Sequence, residues 1–116
     1  MMAKLFNQTQ NCELISDLKV ADSFWLRLVG LLGRQQMSAE EGMWFDRCNS
    51  IHTFGMRFSL DVIFLDSSMK VKSFKHKVKP GRMTWPVMGA KSAIELTAGS
   101  IERLKVKIGD QLHVGH

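Results

Sequence analysis

Turn-forming residues interrupt the apolar pattern of this sequence about every ten positions, leaving runs suited to strands and too short for most helices. Residues 60–65 (Leu-Asp-Val-Ile-Phe-Leu) are apolar after the second member, the pattern of a strand covered on both faces. Residues 12–20, 43–45, 50–54 and 92–97 are further short strand candidates, and Leu104, Val106 and Ile108 alternate with lysines like a half-buried strand. Gly109-Asp110 then turns the chain so that residues 111–114 return as a hairpin arm. In residues 69–79, Val71 and Phe74 are three apart and share a face only if an extra residue near Ser73 forms a β-bulge. Pro80-Gly81 suits the centre of a type II turn, and Ser100 is placed to cap one helical turn through Leu104.

One segment breaks the rule. Trp25, Leu28, Val29 and Leu32 recur at helical spacing, with Asp22 or Ser23 to cap the start and Gly33 to end it. The expected fold is therefore mainly β (α+β). It is a small sandwich or distorted barrel of about seven or eight short strands, with one α-helix near residues 22–33. At 116 residues, with 45% apolar and 23% charged side chains, the chain is expected to be one globular domain, residues 1–116. Two cysteines, Cys12 and Cys48, indicate no disulfide scaffold, and Cys12 reads as a small buried hydrophobe. The polar start of the chain and the lack of a long apolar run argue against a signal peptide or membrane span, so a cytoplasmic location is expected.

The net charge of +5 is unevenly spread. Lys70, Lys72, Lys75, Lys77, Lys79, Arg82 and Lys91 fall in a stretch that holds no acid, and the rest of the chain carries a slight negative excess. Such a basic segment attracts phosphates, nucleic acid or an anionic surface, or simply keeps a solvated strand from pairing edge to edge. The anion-binding candidates are Lys70, Lys72, Lys75, Lys77, Lys79 and Arg82. Stacking partners for bases are few within it, only Phe74 and Trp85.

No phosphate loop, paired CxxC, HExxH or GxSxG occurs. The run from Cys48 to Asp61 instead concentrates a thiol, an imidazole, a guanidinium and a carboxylate beside the most apolar strand, and Glu95 lies inside an apolar one. Cys48 with His52 as base is a weak catalytic candidate, because residues four apart on a strand are about 13 Å apart. A metal held by His52, Asp61 and Glu95 matches no familiar spacing, and no cofactor or metal is expected. A structural role, with Arg57 paired to Asp61 or Glu95, is the commonest explanation for such residues. The lead expectation is a non-enzymatic accessory or ligand-binding module with a polar site of His52, Thr53, Arg57, Asp61 and Glu95. Trp44, Phe54, Phe58 and Trp85 would wall that site. A small molecule or an anionic partner are the partner classes left. His76 is expected to be partly buried.

The sequence also resembles a prokaryotic family catalogued as domain of unknown function 192. Gly30-Leu31-Leu32-Gly33-Arg34 resembles its helix end, and Gly42-Met43-Trp44-Phe45 resembles its Gly-Met-Leu-Phe. Residues 50–66 resemble its central signature, in the branch carrying histidine-threonine, and Glu95-Leu96, Gly99 and Gly109-Asp110 resemble its C-terminal marks. Ser59 departs from the usual proline. The resemblance spans nearly the whole chain and implies a β-rich fold with one helix. It implies no activity.

Overall fold

The computed structural model describes residues 2–21 and 36–115, so the helix expected near residues 22–33 lies outside the described residues. The strands are β1 (Met2–Asn7), β2 (Cys12–Ala21), β3 (Glu41–Asp46), β4 (Leu60–Leu65), β5 (Val71–Val78), β6 (Ser92–Thr97) and β7 (Leu112–Gly115). One short helix, α1 (Ser100–Arg103), precedes β7. All seven strands form one sheet in the order β5-β4-β6-β3-β2-β1-β7. The sheet curls until its two edges meet. Lys70 bridges Gln111, the Leu112 N–H donates to Met69 O at 2.9 Å, and the Val71 N–H donates to Asp110 O at 2.9 Å. Of the two expected architectures, the barrel-like one is formed.

The inner face carries the main core. Leu5, Ile15, Leu18, Ile63, Leu65, Ile94 and Leu96 meet there, and Ile101 of α1 is buried with them. On β4 every residue is buried, because Ile63 and Leu65 face this core while Leu60, Val62 and Phe64 face two smaller clusters outside the sheet. The alternation of a strand thus meets apolar cover on each side, as the continuous run at 60–65 predicts. No helix among the described residues is long and apolar enough to cross a membrane.

Two bulges shape the edge strand β5. Phe64 opposes Ser73 while Leu65 opposes Val71, which inserts one extra residue at Lys72 and puts Val71 and Phe74 on the main core, as expected. A second extra residue lies between Lys75, opposite Val62, and Val78, opposite Leu60. There Lys77 has φ +50, and Val78 turns to the outer cluster, away from Phe74. His76 is consequently exposed, not partly buried, with its ring edge against Phe74.

Several other expectations are corrected. Residues 50–54 form no strand and only His52 bridges Met83. Residues 104–108 form turns: Lys105 takes φ +56 and the Val106 N–H returns to Ile101 O, which withdraws the alternating side chains from any ladder. The arm at 111–114 is a strand, but its partner is β1, which the sequence reading did not identify. Gly99, not Ser100, is the N-cap of α1, and Ser100 is buried. Cys12 is exposed at the first position of β2.

Candidate functional site

Beyond the outer face of the sheet, residues 49–54 and 82–87 run side by side as an irregular antiparallel ribbon. The Thr53 N–H donates to Arg82 O (2.8 Å), the Thr84 N–H to Ile51 O (2.9 Å) and the Val87 N–H to Asn49 O (2.9 Å). Two threonines lock it. Thr53 Oγ1 accepts from the Arg82 N–H at 2.9 Å and donates to Lys79 O at 2.6 Å, while Thr84 Oγ1 accepts from the Ile51 N–H at 2.9 Å. Gly81, at φ +74, turns the chain back so that its N–H reaches Thr53 O, the geometry expected of Pro80-Gly81.

Side chains alternate across this ribbon as on a strand. Ile51, Thr53 and Thr84 are buried beneath it, and Ile51 packs with Val62, Phe64 and Ala93 of the sheet. His52, Phe54, Met83 and Trp85 take the opposite face. The rings of His52 and Phe54 stack at 5.2 Å between centroids. Phe54 is 49% exposed, Met83 67%, and Trp85 and nearby Met88 each 88%. A solvated face normally carries polar residues; this one is aromatic and apolar.

The polar residues singled out in the sequence do not meet at one point. Asp61 opposes Leu96 across the β4–β6 ladder and so lies on the inner face, whereas Glu95 opposes Val62 and Met43 and lies on the outer face. Asp61 is fully occupied by backbone. Its Oδ1 accepts the N–H of Lys77 in the β5 bulge at 2.8 Å, and its Oδ2 accepts the N–H of Ile101 in the first turn of α1 at 2.9 Å. Glu95 is only 6% exposed among apolar neighbours, and burial pushes its carboxyl up to about 8. Among the described residues nothing donates a hydrogen bond to Glu95, and the single ion pair is Lys4–Glu13, so the expected partnership of Arg57 with Asp61 or Glu95 is not made. Arg57 is exposed in the loop after Phe54.

Cys48 donates its thiol to Ser50 O at 2.8 Å and packs with the two outer clusters, while His52 faces solvent. A cleft of about 370 Å³ beside Cys48 is lined by Asp46, Arg47, Asn49, Ala90 and Lys91. No group of three or more potential metal ligands occurs among the described residues. The four aromatic wall candidates also separate: Trp44 packs against the main core and Phe58 against an outer cluster, leaving Phe54 and Trp85 on the ribbon.

Lys70, Lys72, Lys75, Lys77, Lys79, Arg82 and Lys91 are all exposed. Lys75, opposite Val62, emerges on the outer side of the sheet, and the Lys72 stem passes so close to Gly89 that a Cβ there would stand 3.2 Å from it. Lys72 of the edge strand thus reaches the segment that follows the ribbon.

The family model for domain of unknown function 192, an uncharacterized ACR, matches residues 5–114. The chain belongs to this family. A UPF0127 protein of Thermococcus sibiricus is 38% identical over 112 residues, covering 93% of this chain and 72% of that protein. A UPF0127 protein of Pyrococcus horikoshii is 34% identical over 114 residues, covering 93% and 96%. Among solved structures, a Sinorhizobium meliloti protein described as a candidate transcription regulator superposes with a TM-score of 0.79 at 25% identity, covering 97% of this chain and 91% of its own. A Novosphingobium aromaticivorans protein of unknown function superposes with a TM-score of 0.81 at 22% identity, covering 97% and 84%, and shows the same fold.

In this DUF192 chain the sequence reading missed Met83 and Met88 as surface residues. The signal was present in residues 83–90, which hold no charge and only one hydroxyl between Arg82 and Lys91. The outward face of such an irregular stretch emerges only from the alternation of buried Thr84 against exposed Met83 and Trp85.

Proposed function

We propose that this chain is a non-enzymatic binding module that holds an anionic partner on the outward face of the ribbon and the flank of β5. The observation that carries it is the row His52, Phe54, Met83 and Trp85, largely in solvent, beside cations that no acid neutralises among the described residues. Exposed apolar patches rimmed by polar groups mark interaction surfaces. The rim charge selects the sign of the partner. Backbone bonds and two buried threonines hold the ribbon in place, so little ordering entropy is lost on binding. Of the polar site expected from sequence, His52 belongs to this surface, Thr53 clamps it, Arg57 is exposed in the loop that follows it and Glu95 lies in the sheet layer beneath. Asp61 serves the fold on the other face. The description of the S. meliloti neighbour as a candidate transcription regulator is compatible with an anionic partner for that protein.

An amide NMR titration with a short heparin oligosaccharide as the anionic probe tests this. Shifts are expected to concentrate in residues 49–57 and 70–91 and to fade as salt rises. Shifts spread equally over Lys4, Lys19, Lys105 and Lys107 would reduce the effect to net charge and remove the proposal.

A further inference from the structure

We propose that the ribbon is a peripheral membrane-docking surface that seats Met83, Trp85 and Met88 in the interface of a bilayer containing anionic phospholipid. The inference rests on the anionic-partner reading and narrows it to one occupant. Three observations favour lipid over the alternatives. First, residues 83–90 are eight consecutive residues without a charge, bounded by Arg82 and Lys91, so the apolar tip and its cations are segregated. A single nucleic-acid strand needs cations interleaved with its stacking platforms, because phosphates follow every base. Second, two of the three most exposed apolar side chains here are methionines, which offer no π-face for a base and are flexible apolar chains that adapt to irregular apolar surroundings. Tryptophan is at home in that interface, with its ring apolar and its N–H wet. Third, the Lys72 stem lies against Gly89, next to Met88, and Lys75 emerges on the same side of the sheet. These are compact ammonium charges at headgroup level, where each is worth about fivefold in partitioning. A second copy of the chain is disfavoured as the occupant because it would bring two such cationic flanks together.

The depth is set by the ribbon's own geometry. Thr84 and Ile51 are held under the ribbon by paired hydrogen bonds, so Met83 and Trp85 cannot fold inward without breaking them. The surface is therefore preformed and enters lipid as a rigid edge.

The test uses the intact chain with vesicles of phosphatidylglycerol and phosphatidylcholine, with pure phosphatidylcholine vesicles, and with a short oligothymidylate. Wild type is expected to sediment with the anionic vesicles at least about tenfold more strongly than with neutral ones, and less so in high salt. The Trp85 emission, taken as wild type minus Trp85→Phe, should shift to the blue and be quenched by brominated lipid. A Met83→Ser, Trp85→Ser, Met88→Ser variant should lose about tenfold or more of its partitioning. Trp85→Phe carries the optical readout even if the triple variant folds poorly, since that side chain is almost wholly in solvent. Binding to oligothymidylate without binding to vesicles would overturn lipid docking and leave the anionic-partner reading intact. Binding to neither would end both. Vesicle binding with an unshifted Trp85 would reduce the contact to charge alone and overturn insertion. A lipid-free dimer that hides Trp85 would assign the surface to a second copy.

Discussion

Asp61 and Glu95 occupy neighbouring strands, both are buried, and the single-residue offset in their pairing sends them to opposite faces of the sheet. On the inner face, Asp61 finds two backbone N–H groups that have no other partner in the ladder: one freed by the β5 bulge, one at the start of α1. On the outer face, Glu95 finds Val62, Met43 and the apolar clusters around them. The same chemical group is thus a fastening in one place and a cost in the other. What separates the roles is the supply of donors among the described residues, since both are largely withdrawn from water.

The comparison is broken most forcefully from the inner side. Asp61→Ala leaves the Lys77 and Ile101 N–H groups without their acceptor and should cost about 4 kcal/mol, read as a fall in the urea midpoint. Hydrogen exchange should rise first at 76–78 and 100–104, the segments this carboxylate joins. If exchange there is unchanged, the fastening role fails.

Glu95 carries the opposite sign. The folded chain keeps its proton up to about 8, whereas the unfolded chain loses it near 4.5. The folded state therefore binds more protons between those values, and stability falls as pH rises from about 4.5 to about 8, then levels. Below the lower value both states are protonated and the penalty vanishes. Glu95→Gln should raise stability at neutral pH by about 3 kcal/mol and flatten that slope. Denaturation at pH 5 and pH 8 checks it, and an unaltered slope in the variant would place the titration elsewhere.

Moving outward sharpens the contrast. Thr53→Val removes the hydroxyl that ties the Pro80-Gly81 turn to the ribbon and should cost about 2 kcal/mol, with amide protection lost at Arg82. Trp85→Ala should change stability by less than about 0.5 kcal/mol in a thermal melt, because its side chain contacts mainly water. A large loss there would show that the outward row serves the fold, and both binding proposals would lose their footing.

Much of the strand pattern could be read directly. The run at 60–65 declared two covered faces, the Val71–Phe74 spacing declared a bulge, and residues 92–97 formed their strand as expected. Where strands were misassigned, a backbone turn had intervened. Residues 104–108 alternate well enough, but positive φ at Lys105 and Gly109 bends them away from any partner. Strand β1 was missed because one of its two partners, β7, lies at the other end of the chain, roughly a hundred residues away. The candidate site was legible as a set of residue types and not as a place. Asp61 and Glu95 looked like companions because both are acids in apolar strands, and sequence alone carries no register.

By itself, then, the sequence determined that this protein would be β-rich, that its positive charge would sit in one segment, and which strand would be covered twice. These follow from local periodicity and composition, which need no knowledge of neighbours. Tertiary structure decided which face each carboxyl reached, that β5 would bulge a second time, and that two loops would clasp into a ribbon with Trp85 and Met83 outside. Each of those is settled by pairing between distant segments, where a shift of one residue exchanges core for solvent.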